Sequence, residues 1–317
     1  MGTSTKDGII YFTASGSGAM EAVVCNCLYA NEKVLVINGG SFGKRFCDIL
    51  RFYNFNFVSV DIAFGTTLTP EILSKYDNQG FTSFFVNLHE TSIGLLYDIN
   101  IISDFCKKNN MYLYVDAISV FLADEYVMDD YGVDATIISS QKGLCLSPGL
   151  SFVALSERQI EKCQQIKAKR NMYFDFSSYL SNIKRGQTPF TPAVGIMHEM
   201  HNMLDLIEKK GGLNSWLQSI AGKSCYFREK ARQMGFKYPT YPLSNMLTPL
   251  LFDTISAHKV FELLKNHYGI YVNPCSGKQA ESMIRVSHIG NLEEKDFDML
   301  LDALANIVTK QGTTTAA

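Results

Sequence analysis

From Ile9 to about residue 155, short β-branched or aromatic runs alternate with stretches whose apolar positions recur at helical spacing. Residues 9–13 read as a strand and 18–29 as a helix, then 34–37 as a strand and 42–53 as a helix. Further strands are predicted over 57–60, 83–87, 112–116, 135–139 and 151–155, with a helix over 100–109 among them. Strands alternating with helices imply βαβ units and a mainly parallel sheet with helices on both faces. Around Thr188-Pro-Phe-Thr-Pro192 the rhythm changes. A long helix is predicted over 193–209, broken by Gly211-Gly212, and a second over 214–234. The remainder mixes strands (248–252, 283–287) with helices (256–267, 293–308), and the tail 313–317 reads as frayed. The pattern is an α/β chain with a large domain over 1–195 and a smaller α+β domain over 196–317.

Composition narrows the class. Apolar residues make up 46% and charged residues 19%, with a net charge of −2 and both signs interspersed. Nucleic acids and anionic membranes reward clustered Lys and Arg, so neither is an expected partner. No apolar run approaches the roughly 20 residues that cross a bilayer. Met1 to Asp7 are polar and lack the apolar stretch of a signal peptide, and Lys6 stands where a myristoylation signal needs Ser or Thr. With eight cysteines and no export signal, the chain reads as a reduced, cytoplasmic protein with free thiols. Cys25 and Cys27 have no second half nearby, and His198-Glu-Met-His201 is one residue short of H-E-x-x-H, so no metal site is expected.

Three segments carry candidate chemistry. Thr13-Ala-Ser-Gly-Ser-Gly-Ala-Met20 lies where the first strand turns into a helix, and the free N–H groups of such a junction suit a phosphate. A dinucleotide fingerprint would need glycine where Glu21 stands, so a single phosphate fits better. Tyr112-Leu-Tyr-Val-Asp116 ends a strand in a carboxylate that can pair with a protonated pyridine nitrogen. Ile137-Ile-Ser-Ser-Gln-Lys142 ends a strand in a lysine whose desolvation would lower its pKa, as imine formation requires. Taken singly, each has a plainer reading: a tight turn, a capping Asp, a sheet-edge Lys. Together they are what pyridoxal phosphate (PLP) needs.

With these motifs the chain resembles the class V aminotransferases of PLP fold type I, especially the alanine/serine–glyoxylate and 2-aminoethylphosphonate–pyruvate branch. The likeness runs from about Ile9 to Ile307. It implies a seven-stranded-type sheet plus a smaller C-terminal domain. It implies that Ser15, Gly16 and Ser17 bind the phosphate, and that Phe42, in Gly40-Ser-Phe-Gly-Lys-Arg45, stacks on the ring. Thr91, in Glu90-Thr-Ser-Ile-Gly94, contacts the cofactor; Asp116 partners the ring nitrogen; Gln141 touches the phosphate; Lys142 forms the imine. Thr188 and Thr191 fall in the segment that reaches the other subunit's phosphate, implying a homodimer with shared active sites. Arg285, in Ile284-Arg-Val-Ser-His-Ile-Gly290, matches the arginine that grips a substrate carboxylate through two parallel hydrogen bonds.

The implied activity is transamination by a ping-pong cycle. A small amino donor (2-aminoethylphosphonate, alanine or serine) gives its amino group to pyruvate or glyoxylate, with Lys142 as general base and acid. The residue types leave the donor open. Alternatives are a cysteine desulfurase-like PLP lyase, for which Cys275 is the conceivable acceptor, and a truncated, inactive PLP-fold protein. Gln141 stands where desulfurases commonly carry His. The chain departs from the family at Ile93 (usually Thr) and at Val120 (often Ser). Its phosphate turn also starts fourteen residues from Met1, where relatives carry a longer segment that helps close the site and shape the dimer.

Overall fold

Strand residues of the N-terminal half pack on both faces, which is why they are apolar with little alternation. A computed structural model of the chain describes residues 1–314. Strands β1 (Ile9–Phe12), β2 (Lys33–Asn38), β3 (Asn56–Asp61), β4 (Ser83–Asn87), β5 (Tyr112–Asp116), β6 (Ala135–Ser139) and β7 (Ser151–Leu155) form one seven-stranded sheet. Their order is β1-β7-β6-β5-β4-β2-β3. All run parallel except β7, which pairs antiparallel with β6 and with β1. β2 sends Val34 and Val36 into the core on one face and Leu35 and Ile37 into the core on the other. Each such side chain contributes about 1.5–3 kcal/mol on full burial.

Helices α1 (Gly16–Cys27), α2 (Ser41–Phe52) and α3 (Ile99–Lys108) are the crossovers read from the sequence. α1 starts at Gly16 rather than the predicted Gly18, because the Ser15 side chain accepts the Gly18 N–H and caps the helix there. Asp98 caps α3, and Lys107 and Lys108 in its last turn complement the helix dipole. Two helices absent from the sequence reading follow β7: α4 (Glu157–Gln165) and α5 (Phe176–Ile183). Then come α6 (Val194–Lys209) and α7 (Gly212–Gln233), separated where Gly211 takes a left-handed φ of 96°.

In the C-terminal part, β8 (Leu247–Leu251), β9 (Asn273–Pro274) and β10 (Met283–Ser287) make a three-stranded antiparallel sheet. α8 (Ala257–Leu263) and α9 (Glu294–Thr314) cover it, with a core of its own built on Phe227, Leu250, Ile284 and Leu301. The helix predicted over 256–267 finishes as a π-turn over Leu264–Tyr268. α9 runs past the predicted end at Val308. Of the tail read as frayed, residues 315–317 lie outside those described.

The turn after β6 sets the position of Lys142. The Ser140 N–H donates to the Leu150 carbonyl at 2.9 Å, and its hydroxyl to the Ser147 carbonyl at 2.7 Å. Glu199 of α6 accepts both the N–H and the hydroxyl of Ser147, at 2.9 and 3.0 Å. Gly143 lies hard against the 117–123 turn, and a Cβ there would sit 1.9 Å from the Phe121 carbonyl oxygen. Gly143→Ala is therefore expected to cost about 1–3 kcal/mol of stability. A lowered midpoint in chemical denaturation reads it out, and an unchanged midpoint would show that this turn is not wedged.

Candidate active site

In an open α/β sheet the strand tips at the carboxyl end are where polar groups can face a ligand without breaking the ladder. Here the tips of β1, β5 and β6 and the turns following β2 and β4 converge on one cavity. It is lined by Ser15, Gly16, Ser17, Met20, Phe42, Arg45, His89, Thr91, Asp116, Ile118, Ser119, Gln141 and Lys142. Eight of the residues named from the sequence therefore meet in one place. Arg285 of β10 is not among these lining residues and borders a separate pocket, but its guanidinium donates to the Thr91 carbonyl and to the Pro274 carbonyl, each at 2.9 Å.

Asp116 is 5% exposed, and its Oδ1 accepts the Ile118 N–H at 2.9 Å. Burial pushes its carboxyl up to about 7, and the Glu90 charge adds to this, while the Ile118 N–H, Lys142 and Arg45 pull back. Burial also holds the Lys142 ammonium below its ordinary value, helped by the positive Arg285 and opposed by Asp116. A buried acid and a partly buried amine are thus both moved toward neutrality in the absence of a ligand charge.

Glu90 has a role the sequence reading did not give it. Fully buried, its carboxylate accepts the backbone N–H of Gly43 at 3.1 Å and of Phe42 at 3.4 Å, at the N-terminus of α2. The Asn87 amide and Ser92 hold the same carboxylate. This clamp fixes Phe42 relative to Thr91. Arg45 was also missed as a site residue. Its guanidinium donates to Ser17 Oγ at 2.6 Å and lies 5.2 Å from the centre of the Phe42 ring, so it brings positive charge to the serine turn. The i,i+3 spacing of Phe42 and Arg45 was the available signal. Thr91 Oγ1 donates to Ser119 Oγ at 2.8 Å.

Thr188 and Thr191 do not join this cavity. They line a separate groove with Tyr11, Phe190, Pro192 and Met197, and the Thr188 hydroxyl donates to the Phe190 carbonyl. Cys275 does not line the cavity; its Sγ lies 3.8 Å from the Ser92 carbonyl oxygen.

The family model described as aminotransferase class-V matches residues 2–300. The chain belongs to that family. As a class V aminotransferase it is a PLP-dependent transaminase of fold type I, acting on an amino donor and a keto acid. It is similar to the soluble hydrogenase 42 kDa subunit of Anabaena cylindrica, at 26% identity over 97% of this chain and 82% of that protein. The serine–glyoxylate aminotransferase of Arabidopsis thaliana is 26% identical over 93% of this chain and 75% of its own length. The crystal structure of an alanine–glyoxylate aminotransferase from Nostoc sp. superimposes with a TM-score of 0.88 at 26% identity, covering 95% of this chain and 81% of that one. Among the described residues no helix of this aminotransferase is long and apolar enough to cross a membrane.

The cavity suits the cofactor. Gln141 Oε1 and His89 Nε2, both on this lining, are buried without a protein partner, so this wall suits a polar ligand. The serine turn at the α1 N-terminus, with Arg45 beside it, suits a phosphate, and Asp116 suits a protonated ring nitrogen.

Proposed function

We propose that this aminotransferase moves an amino group from alanine, serine or 2-aminoethylphosphonate to glyoxylate or pyruvate in a ping-pong cycle. The observation that carries the reading is that Lys142 and Asp116, tips of neighbouring strands, share one cavity with the serine turn. Ser15, Gly16, Ser17 and Gln141 hold the phosphate. Phe42 packs on the ring, Thr91 contacts its edge, and Asp116 keeps the ring nitrogen protonated. When bound, the cofactor supplies an aldehyde that exchanges amines and a ring that draws electrons from the adjacent carbon. Lys142 anchors that aldehyde and, once displaced by the donor, takes and returns a proton at the reacting carbon as base and acid. Arg285 holds a substrate carboxylate, its fork already steadied by the Thr91 and Pro274 carbonyls.

Residues 1–195 serve as the cofactor domain and 196–317 as the smaller domain that brings in Arg285. The exposed Thr191, with Thr188, reaches the phosphate of a second copy, which makes the working form a homodimer. Resemblance to alanine– and serine–glyoxylate enzymes supports these donors. The desulfurase alternative loses ground at Cys275: burial pushes that thiol up, whereas an acceptor sulfur needs easy ionisation.

A donor panel with glyoxylate and with pyruvate tests the substrate. Alanine or serine is expected to give glycine from glyoxylate, and phosphonoacetaldehyde would identify 2-aminoethylphosphonate instead. Borohydride reduction of the PLP-loaded protein, followed by peptide mapping, should place the pyridoxyl group on Lys142. Turnover with no donor, or a label at another lysine, overturns the reading.

A further inference from the structure

Asp124 closes the turn that follows β5, the strand whose tip carries Asp116. It is 9% exposed, and a buried carboxylate is costly unless its oxygens find donors. Both donors come from far along the chain. The Asn245 N–H donates to Oδ1 at 2.8 Å, and the Ser244 hydroxyl donates to Oδ2. Ser244 is fully buried, and its hydroxyl oxygen in turn accepts the Met246 N–H at 3.0 Å.

Arg228 of α7 holds the same segment. Its guanidinium donates to the Ser244 carbonyl at 2.5 Å, to the Leu247 carbonyl at 3.2 Å and to the Thr248 hydroxyl at 2.8 Å. Residues 244–248 are thus gripped by an anion from the β5 turn and a cation from α7. This segment runs into β8, where Pro249 is paired with Arg285 of β10. Where the segment is fixed therefore decides where the Arg285 backbone stands relative to Asp116.

The 117–124 turn is a firm reference point. The Phe121 N–H donates to the Ala117 carbonyl and the Asp124 N–H to the Val120 carbonyl, each at 2.9 Å. Ser119 on this turn accepts the Thr91 hydroxyl, and Gly143, beside Lys142, packs on the Phe121 carbonyl. One turn thus touches the Lys142 loop, follows directly from Asp116, and reaches the Arg285 strand pair through Asp124.

We infer that Asp124 is a positioning residue for the substrate carboxylate, setting Arg285 at the separation from Lys142 and Asp116 that a small amino or keto acid spans. This rests on the proposed role of Arg285. Asp124 touches neither substrate nor cofactor; it acts through the 244–248 segment and β8.

The test compares PLP-loaded wild type, Asp124→Asn, Ser244→Ala, Arg285→Lys and the double variant of Asp124→Asn with Arg285→Lys. An asparagine keeps the volume but offers one acceptor oxygen to two donors, which loosens the segment. KM for alanine, and for glyoxylate or pyruvate, should rise about tenfold in Asp124→Asn, the scale of one buried hydrogen bond. Its kcat should stay within about twofold, because binding is lost equally before and during the chemistry. Ser244→Ala removes one donor and should raise KM by about threefold. In the double variant the Asp124 effect should vanish, since a residue that acts through Arg285 has nothing left to position. A lower kcat or PLP affinity with KM unmoved marks a merely structural contact and overturns the inference. So does an Asp124 effect that multiplies in full with that of Arg285→Lys. Should Asp124→Asn not fold, Ser244→Ala decides, and an unchanged KM there overturns the inference. An Arg285→Lys enzyme with wild-type KM values overturns the carboxylate reading and this one with it.

Discussion

Lys142→Ala is expected to lower turnover by about 10³-fold or more, since it removes both the cofactor anchor and the group that moves the proton. PLP should still bind through its phosphate and ring nitrogen, but borohydride should no longer fix it to the protein. Lys142→Arg separates charge from proton transfer. Arginine keeps the positive charge near Asp116 but does not give up its proton at any working pH, so it should be as inactive as alanine. Small primary amines added to Lys142→Ala should restore part of the activity, because they replace the missing base. Purified variant retaining more than about a tenth of wild-type kcat would remove Lys142 from the chemistry.

Asp116→Asn is expected to have opposite effects with and without cofactor. In the cofactor-free fold the Asp116 carboxyl is pushed up to about 7, mainly by burial, so the folded state holds this proton more tightly than the unfolded chain does. Its contribution to stability is complete below the unfolded pKa of about 4 and is lost as pH rises toward 7. Asparagine has no such loss. The cofactor-free variant should therefore gain on wild type between about pH 4 and 7, by up to a few kcal/mol, measured by denaturant melts across that range. With PLP bound the order reverses, because the ring-nitrogen charge supplies the partner that the buried carboxylate lacks. Breaking such a pair costs about 2–5 kcal/mol, so kcat/KM should fall by about 30-fold or more. A wild-type melting profile flat in pH, together with a variant that keeps its activity, would refute the assignment of Asp116.

Residues close together in sequence made part of this site legible. Asp116 and Lys142 could be placed at strand ends because an apolar run that stops at a polar residue marks where a buried strand reaches the surface of the sheet. The serine turn was legible for the same reason, since small and hydroxylated residues between a strand and a helix announce a junction with free N–H groups. The α4 segment, Glu157–Gln165, was not legible, and its contacts explain why. Its inward face is polar: Lys162 pairs with Glu32 at 2.7 Å, and Gln159 accepts the Tyr114 hydroxyl at 2.9 Å. Periodicity reports burial only where the buried face is apolar. In α5 the serine-rich Phe176–Ile183 has weak helical preference, and Phe176 and Tyr179 hold it against Phe12 of β1.

The sequence by itself determined which residues stand at strand tips, and with them the family and its cofactor. Hydrophobic pattern is a local property of the chain, and so is the turn chemistry that follows each strand. Only the tertiary structure decided which tips are neighbours. β1 is set at the edge against the antiparallel β7, the Glu90 carboxylate clamps Phe42 from forty-eight positions away, and His89 borders the cavity with its buried Nε2 left without a protein partner. Those outcomes depend on burying both faces of one sheet at once, a condition that couples residues far apart in the chain and that no single segment records.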